Sequence, residues 1–219
     1  MARDSNSFKR QKPKFKPQPT VLVICEDSKS GKRYLEDASL HFRVNVLVEI
    51  THCGNTDPKG IVTEAISRQG KFDHVFCAID RDTHETFDEA LNLAKSSKKV
   101  EVIASYPCFE FWLLLHFGYN RKPYATAGKH SAADLLIKDL RTHPGLENYD
   151  KGKVQGIFQL LENRFAEARR IAPKILADAK TNGEMNPSTR LHELFNFFEK
   201  LSTPQQVSPT HKLVNFLTT

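Results

Sequence analysis

Residues 20–27 read T-V-L-V-I-C-E-D, and residues 76–82 read F-C-A-I-D-R-D. Each is a short, continuous apolar run, the first of them rich in β-branched residues, that ends abruptly in carboxylates. A run of this kind suits a strand buried on both faces, as parallel strands are. Between and beyond the two runs, strand and helix patterns alternate. After Ser28–Ser30, Tyr34, Leu35, Ala38 and Phe42 share one helical side; Val44–Ile50 reads as the second strand, and Ile61, Val62, Ala65 and Ile66 mark a second helix. Asp73–Ile79 is the third strand, Phe87, Ala90, Leu91 and Ala94 give the i, i+3, i+4, i+7 stripe of a third helix, and Val100–Ser105 is the fourth strand. This β-α-β-α-β-α-β order, with connections long enough for right-handed crossovers, predicts an α/β fold with an open, mainly parallel sheet covered by helices.

Past Pro107 only helical stripes are found, so residues 119–219 read as a helical extension packed on an α/β domain of residues 20–118. The stripes are Phe109–Phe117; Ala133, Leu136, Ile137 and Leu140; Val154, Ile157, Phe158 and Leu161; and Leu191, Leu194, Phe195 and Phe198. Pro173 is expected to open or break a helix between the last two, and Thr181–Ser188 reads as a loop from its Gly, Asn and Pro. Residues 202–210 (S-T-P-Q-Q-V-S-P-T) read as weakly structured.

Composition bounds the function. With 39% hydrophobic and 26% charged residues, the chain of 219 residues is too apolar to be wholly disordered. No apolar run approaches the ~20 residues that cross a bilayer, and the start is lysine-rich where a signal peptide is apolar, so a cytoplasmic protein is expected. The four cysteines lack a C-x-x-C pair, which argues against a zinc knuckle or a disulfide framework. The net charge of +6 is concentrated: residues 1–20 hold six basic side chains against Asp4, leaving about +1 for the rest. Residues 1–19 therefore read as a disordered basic arm that either raises non-specific affinity for phosphate backbones or solubilises the chain.

Ligand sites in open α/β sheets form beyond the carboxyl ends of the strands. Glu26 and Asp27 follow the first strand, and Asp80 and Asp82 follow the third. If these strands are neighbours, the acids face each other across one crevice, where they repel unless a proton or cation intervenes. Hard oxygen ligands on one edge suit Mg²⁺ or Mn²⁺. The competing explanation for each acid is a turn or a helix cap, Asp27 or Ser28 being placed to cap the first helix.

These strings also resemble a known group. A Glu after the first strand and Asp-x-Asp after a later one are similar to the Toprim fold of topoisomerases, bacterial primases and OLD-type nucleases. More narrowly, V-I-C-E-D, D-R-D-x-H, Y-P-C-F-E-F-W-L-L-L-H-F, Tyr149 with Lys151, and N-P-S-T-x-x-H-E-L together resemble the RloB-like family over about residues 20–200. The resemblance implies that Glu26, Asp80 and Asp82 hold the metal, Asp82 through water. It also implies an effector of prokaryotic antiphage defence acting with a separately encoded ATPase.

Other residues join by chemistry. Glu110, one turn into a helix after the fourth strand, is a further ligand, a base for an attacking water, or a dipole-favoured N-terminal acid. His116, two turns on, is a substrate contact or a satisfied buried histidine. Phosphoryl transfer needs a cation against developing charge, and Lys151 and Lys153 in the glycine-flanked K-G-K turn compete for that part with Arg81. Asn186, Ser188 and Thr189 precede the last long helix, where a hydroxyl cap explains them, and the resemblance turns this loop toward the site. No G-x-x-x-x-G-K-[ST], G-x-G-x-x-G, G-x-S-x-G or H-E-x-x-H motif is present.

The leading expectation is thus a Mg²⁺- or Mn²⁺-dependent nuclease acting on RNA or DNA. The alternatives are a non-catalytic module that binds nucleic acid or a partner, and a primase-type nucleotidyl transferase.

Overall fold

The computed structural model describes residues 17–81, 84–153 and 155–203. Most of the basic arm, Asp82 and the chain after residue 203 lie outside these.

Five strands form one sheet in the order β2-β1-β3-β4-β5. They are β1 (Val21–Cys25), β2 (Val48–Thr51), β3 (His74–Asp80), β4 (Val100–Tyr106) and β5 (Ser188–Thr189); the first four are parallel and β5 runs antiparallel to β4. The helices are α1 (Ser30–His41), α2 (Pro58–Arg68), α3 (Phe87–Ala94), α4 (Glu110–Leu114), α5 (Ala132–Leu140), α6 (Ile157–Leu161), α7 (Phe165–Asn182) and α8 (Leu191–Ser202). This is the α/β architecture expected, with a helical C-terminal part.

The two-residue period of a strand sorts the core into two layers. Val21, Val23 and Cys25 of β1 face one way, with Phe76 and Ile103, and meet α1 and the helices after β4. Leu22 and Ile24 face the other way with Val75, Cys77 and Ile79, against α2 and α3. The first layer holds residues from Val21 to Leu201, so the helical half and the sheet share one core. At its centre sits Trp112, ringed by His116, Phe165 and Phe195.

Three local readings are corrected. The second strand begins at Val48, four residues later than expected, because Arg43 adopts a positive φ of 58° and turns the chain after α1. Val44 is fully buried, but in that turn, with its N–H bonded to the Ser39 carbonyl. The region of Ser188 and Thr189, expected to be a loop, carries the edge strand β5, with Thr189 opposite Ser105. Two residues are too few to show a strand period.

Pro173, expected to open or break a helix, lies inside the continuous α7. A proline there forfeits one backbone hydrogen bond. Yet it occupies the exposed side, where water can satisfy the freed carbonyl, while Ile171, Ala172, Ile175, Leu176 and Ala179 bury the opposite stripe. Packing outweighs the local penalty. Pro173→Ala is accordingly expected to stabilise the protein by about 1–3 kcal/mol, read as a higher urea midpoint; an unchanged or lower midpoint would show that the helix has absorbed the proline without loss.

Candidate functional site

Strand order determines which acids meet. The chain leaves β1 toward β2 on one side, and β3 leads toward β4 on the other, so the order reverses between β1 and β3. Such a reversal opens a crevice beyond the carboxyl ends of the two strands. Glu26 and Asp80 stand there. The Glu26 N–H extends the ladder by bonding the Ala78 carbonyl at 3.0 Å, and Glu26 Oε2 accepts the backbone N–H of Asp80 at 2.8 Å. A recess of about 20 Å³, room for one water, lies among Glu26, Asp27, Asp80, Ser105 and Phe109.

The recess is short of compensating charge. Burial, then the charge of Glu26, raises the Asp80 carboxyl well above the usual range; Lys151 opposes this, Glu110 adds to it, and the Phe109 N–H opposes it. Burial raises Glu26 as well, against the Asp80 N–H, His84 and Lys151. Asp27 takes a different part. Its two oxygens accept the N–H groups of Lys29 and Gly31, each at 2.8 Å, closing the start of α1 as a cap.

Glu110 is fully enclosed. Tyr149 donates its hydroxyl to Glu110 Oε1 at 3.0 Å, and Lys151 Nζ stands 3.7 Å from Oε2, which has no hydrogen bond. Burial disfavours the Lys151 ammonium, but Glu110 and Asp80 more than restore it, so its pKa lies above the ordinary value. The K-G-K turn is held against α1: Gly152 N–H bonds Ser30 Oγ at 2.9 Å, and Arg33 reaches the Gly152 carbonyl at 3.3 Å. Gly152 has a φ of +82°, and a Cβ there would lie 2.4 Å from a Lys29 side-chain carbon, so both backbone and space call for glycine.

The remaining candidates divide. Asp82 is outside the described residues. Arg81 bonds the His84 carbonyl at 3.1 Å and lies over the Phe87 ring at 5.0 Å, bracing the loop after β3. Lys153 is exposed and paired with Asp150. Asn186 grips the backbone of Tyr124, donating to its carbonyl at 2.6 Å. Ser188 is fully buried with an unpartnered hydroxyl. Thr189 Oγ1 lies 2.9 Å from Ser105 Oγ and takes the Leu191 N–H, as a capping hydroxyl does at the start of α8.

His116 does not reach the crevice. It sits 1% exposed in the aromatic core, with Nδ1 at 3.1 Å from the Trp112 carbonyl and Nε2 at 3.1 Å from the Tyr34 hydroxyl. A carbonyl only accepts, so Nδ1 carries the proton and Nε2 accepts from tyrosine. Burial lowers its pKa to about 4 against 6.5 when unfolded. Between these values the unfolded chain binds the extra proton, so this contribution is complete above pH 6.5 and is lost as pH falls toward 4. It amounts to about 3 kcal/mol. Urea titrations at several pH values should show His116→Gln flattening the acid limb relative to the parent; parallel limbs would count against it.

One residue was missed. His84 Nε2 stands 3.3 Å from Glu26 Oε1, with the side chain 31% exposed. The D-R-D-x-H string places it four residues after Asp80, but only the fold of the loop shows that it turns back.

Among the described residues, no three His, Cys, Asp or Glu side chains form a group able to hold a metal ion. The donor set still fits a hard cation that binds one or two carboxylates and keeps waters: burial raises the proton affinity of Glu26 and Asp80, the charge of Glu26 raises that of Asp80 further, and Glu110 Oε2 is left without a hydrogen bond. No described helix is long and apolar enough to cross a membrane.

No curated protein and no solved structure matches the chain. The family model described as RloB-like protein matches residues 21–197, from the first residue of β1 into α8, and includes every described residue of the crevice. The chain therefore belongs to the RloB-like protein family.

Proposed function

We propose that the protein is a Mg²⁺- or Mn²⁺-dependent nuclease of Toprim type that hydrolyses phosphodiester bonds of RNA or DNA. In this reading it serves antiphage defence in the cytoplasm, alongside a separately encoded ATPase. The observation that carries the reading is the bond from the Asp80 N–H to Glu26 Oε2, which joins acids 54 residues apart at the reversal of strand order.

Glu26 and Asp80, with Asp82 on sequence grounds, would hold the ion. When bound, it supplies Lewis-acid polarisation of a phosphate and a more acidic water. The chain's own residues do the rest. Lys151 presents an ammonium for the negative charge that gathers on the non-bridging oxygens. Glu110 and Tyr149 position that ammonium; with no exposed surface, Glu110 acts through Lys151 and not on a water. His84 steadies the free oxygen of Glu26.

The test is incubation of the full chain with tRNA, single-stranded DNA and duplex DNA, with and without Mn²⁺. Cleavage that needs the ion and stops with chelator is expected. Binding without cleavage would leave a non-catalytic module, and chain extension from a 3′-hydroxyl would make the protein a nucleotidyl transferase.

A further inference from the structure

We propose that the groove between α5 and the turn of residues 149–153 is the track of a single-stranded polynucleotide, gripped by its phosphates and delivered to the acids at Lys151. This rests on the nuclease reading and names the surface that its substrate occupies. The groove has a volume of about 660 Å³ and is lined by His130, Lys138, Arg141, Asp150 and Lys151, among others.

Three observations converge on a polyanionic strand. The acids of the groove are already engaged: Asp134 Oδ2 accepts the Ser131 N–H at 2.8 Å in the capping box of α5, and Asp150 is paired with Lys153. The cations are freer. Lys138 is exposed and has no ion pair among the described residues, and Arg141 spends its Nε on the Tyr149 carbonyl at 2.7 Å, leaving the outer guanidinium edge toward the groove. Lys138 and Arg141, three apart at the end of α5, share one helical surface, where Cβ atoms at this spacing stand about 5–6 Å apart, so both side chains can reach neighbouring phosphates of one strand. Lys151 then links the groove to the acids, since it lines the groove while its ammonium stands 3.7 Å from Glu110 Oε2 and its charge acts on Asp80.

The lining also says how the strand is read. Among the described residues His130 is its one ring, and they offer no platform of aromatic side chains for bases to stack on. Affinity comes from phosphate contacts, which discriminate sequence weakly and fall steeply with salt.

The test is anisotropy of a labelled 20-nucleotide RNA and the same-sequence DNA, with chelator present, over a series of salt concentrations. The parent, Lys138→Glu and Lys98→Glu are compared as full chains. Lys98 precedes β4, at the opposite end of the strands, and serves as the control charge reversal. Lys138→Glu is expected to weaken binding about tenfold and to lower the salt slope by about 0.7–0.9, with Lys98→Glu within about twofold of the parent. The RNA and DNA arms show which backbone the groove accepts. Equal effects of the two reversals, no effect of Lys138→Glu, or no binding by the parent overturns the proposal. Failure here is separable from failure of the nuclease reading. A parent that cleaves, with Lys138→Glu binding normally, rejects only the groove; loss of binding in Lys138→Glu with no cleavage by any form rejects only the chemistry.

Discussion

Asp80→Asn is expected to lower metal-dependent cleavage at least about a thousandfold while raising the melting temperature of the metal-free protein. Both effects follow from one arrangement. Asp80 is 9% exposed, and burial, Glu26 and Glu110 all disfavour its charge, with Lys151 and the Phe109 N–H offsetting part. A carboxyl whose folded pKa is raised binds protons more tightly folded than unfolded, so stability falls as pH rises through the window between the two values. Above that window the loss is complete. Asparagine has no charge to bury at any pH and should return about 1–2 kcal/mol, some 4 °C at this chain length. Thermal unfolding in chelator measures this. Added Mn²⁺ should then raise the melting temperature of the parent by mass action and leave the variant unmoved. Undiminished cleavage by Asp80→Asn would end the mechanism; a lower melting temperature would mean that Lys151 already neutralises the charge in full.

Trp112→Ala should act in the opposite thermal direction. Trp112 is fully buried, with ring centroids 4.9 Å from Phe195, 5.4 Å from His116 and 6.0 Å from Phe165, so it ties α4 to α7 and α8. Removing such a ring deletes its contacts and leaves a cavity, at about 3–5 kcal/mol. For a protein of this size the melting temperature should fall by about 10 °C. Glu110 lies two residues earlier on the same short helix. Cleavage is therefore expected to fall as well, since Lys151 takes its place from Glu110. The pair of variants separates two ways of losing activity: one with a more stable fold and one with a weaker fold. A loss below about 1 kcal/mol in Trp112→Ala would place the structural centre of the helical half elsewhere.

Much of this was legible along the chain because it is local. The apolar runs ending at Cys25 and Asp80 show the two central strands and the acids behind them, and the helical stripes name the buried faces of α1, α3, α5 and α8. The errors share a cause as well. Val44 is apolar yet turns, Pro173 is a breaker yet sits in a helix, and Ser188–Thr189 are turn formers yet pair with β4. In each, a tertiary contact overrides the local preference.

By itself, then, the sequence determined the four parallel strands and most of the helices, the chemistry of the strand ends and the family, since side-chain polarity and hydrophobic period are properties of neighbours in the chain. Tertiary structure alone decided the rest. It set β1 beside β3, bringing Glu26 to Asp80; it brought the Tyr149 hydroxyl to Glu110 across 39 positions, turned His84 back on Glu26, and withdrew His116 into the core. Such meetings depend on strand order and helix packing, which are settled by burial summed over the whole chain and leave no mark in any one segment.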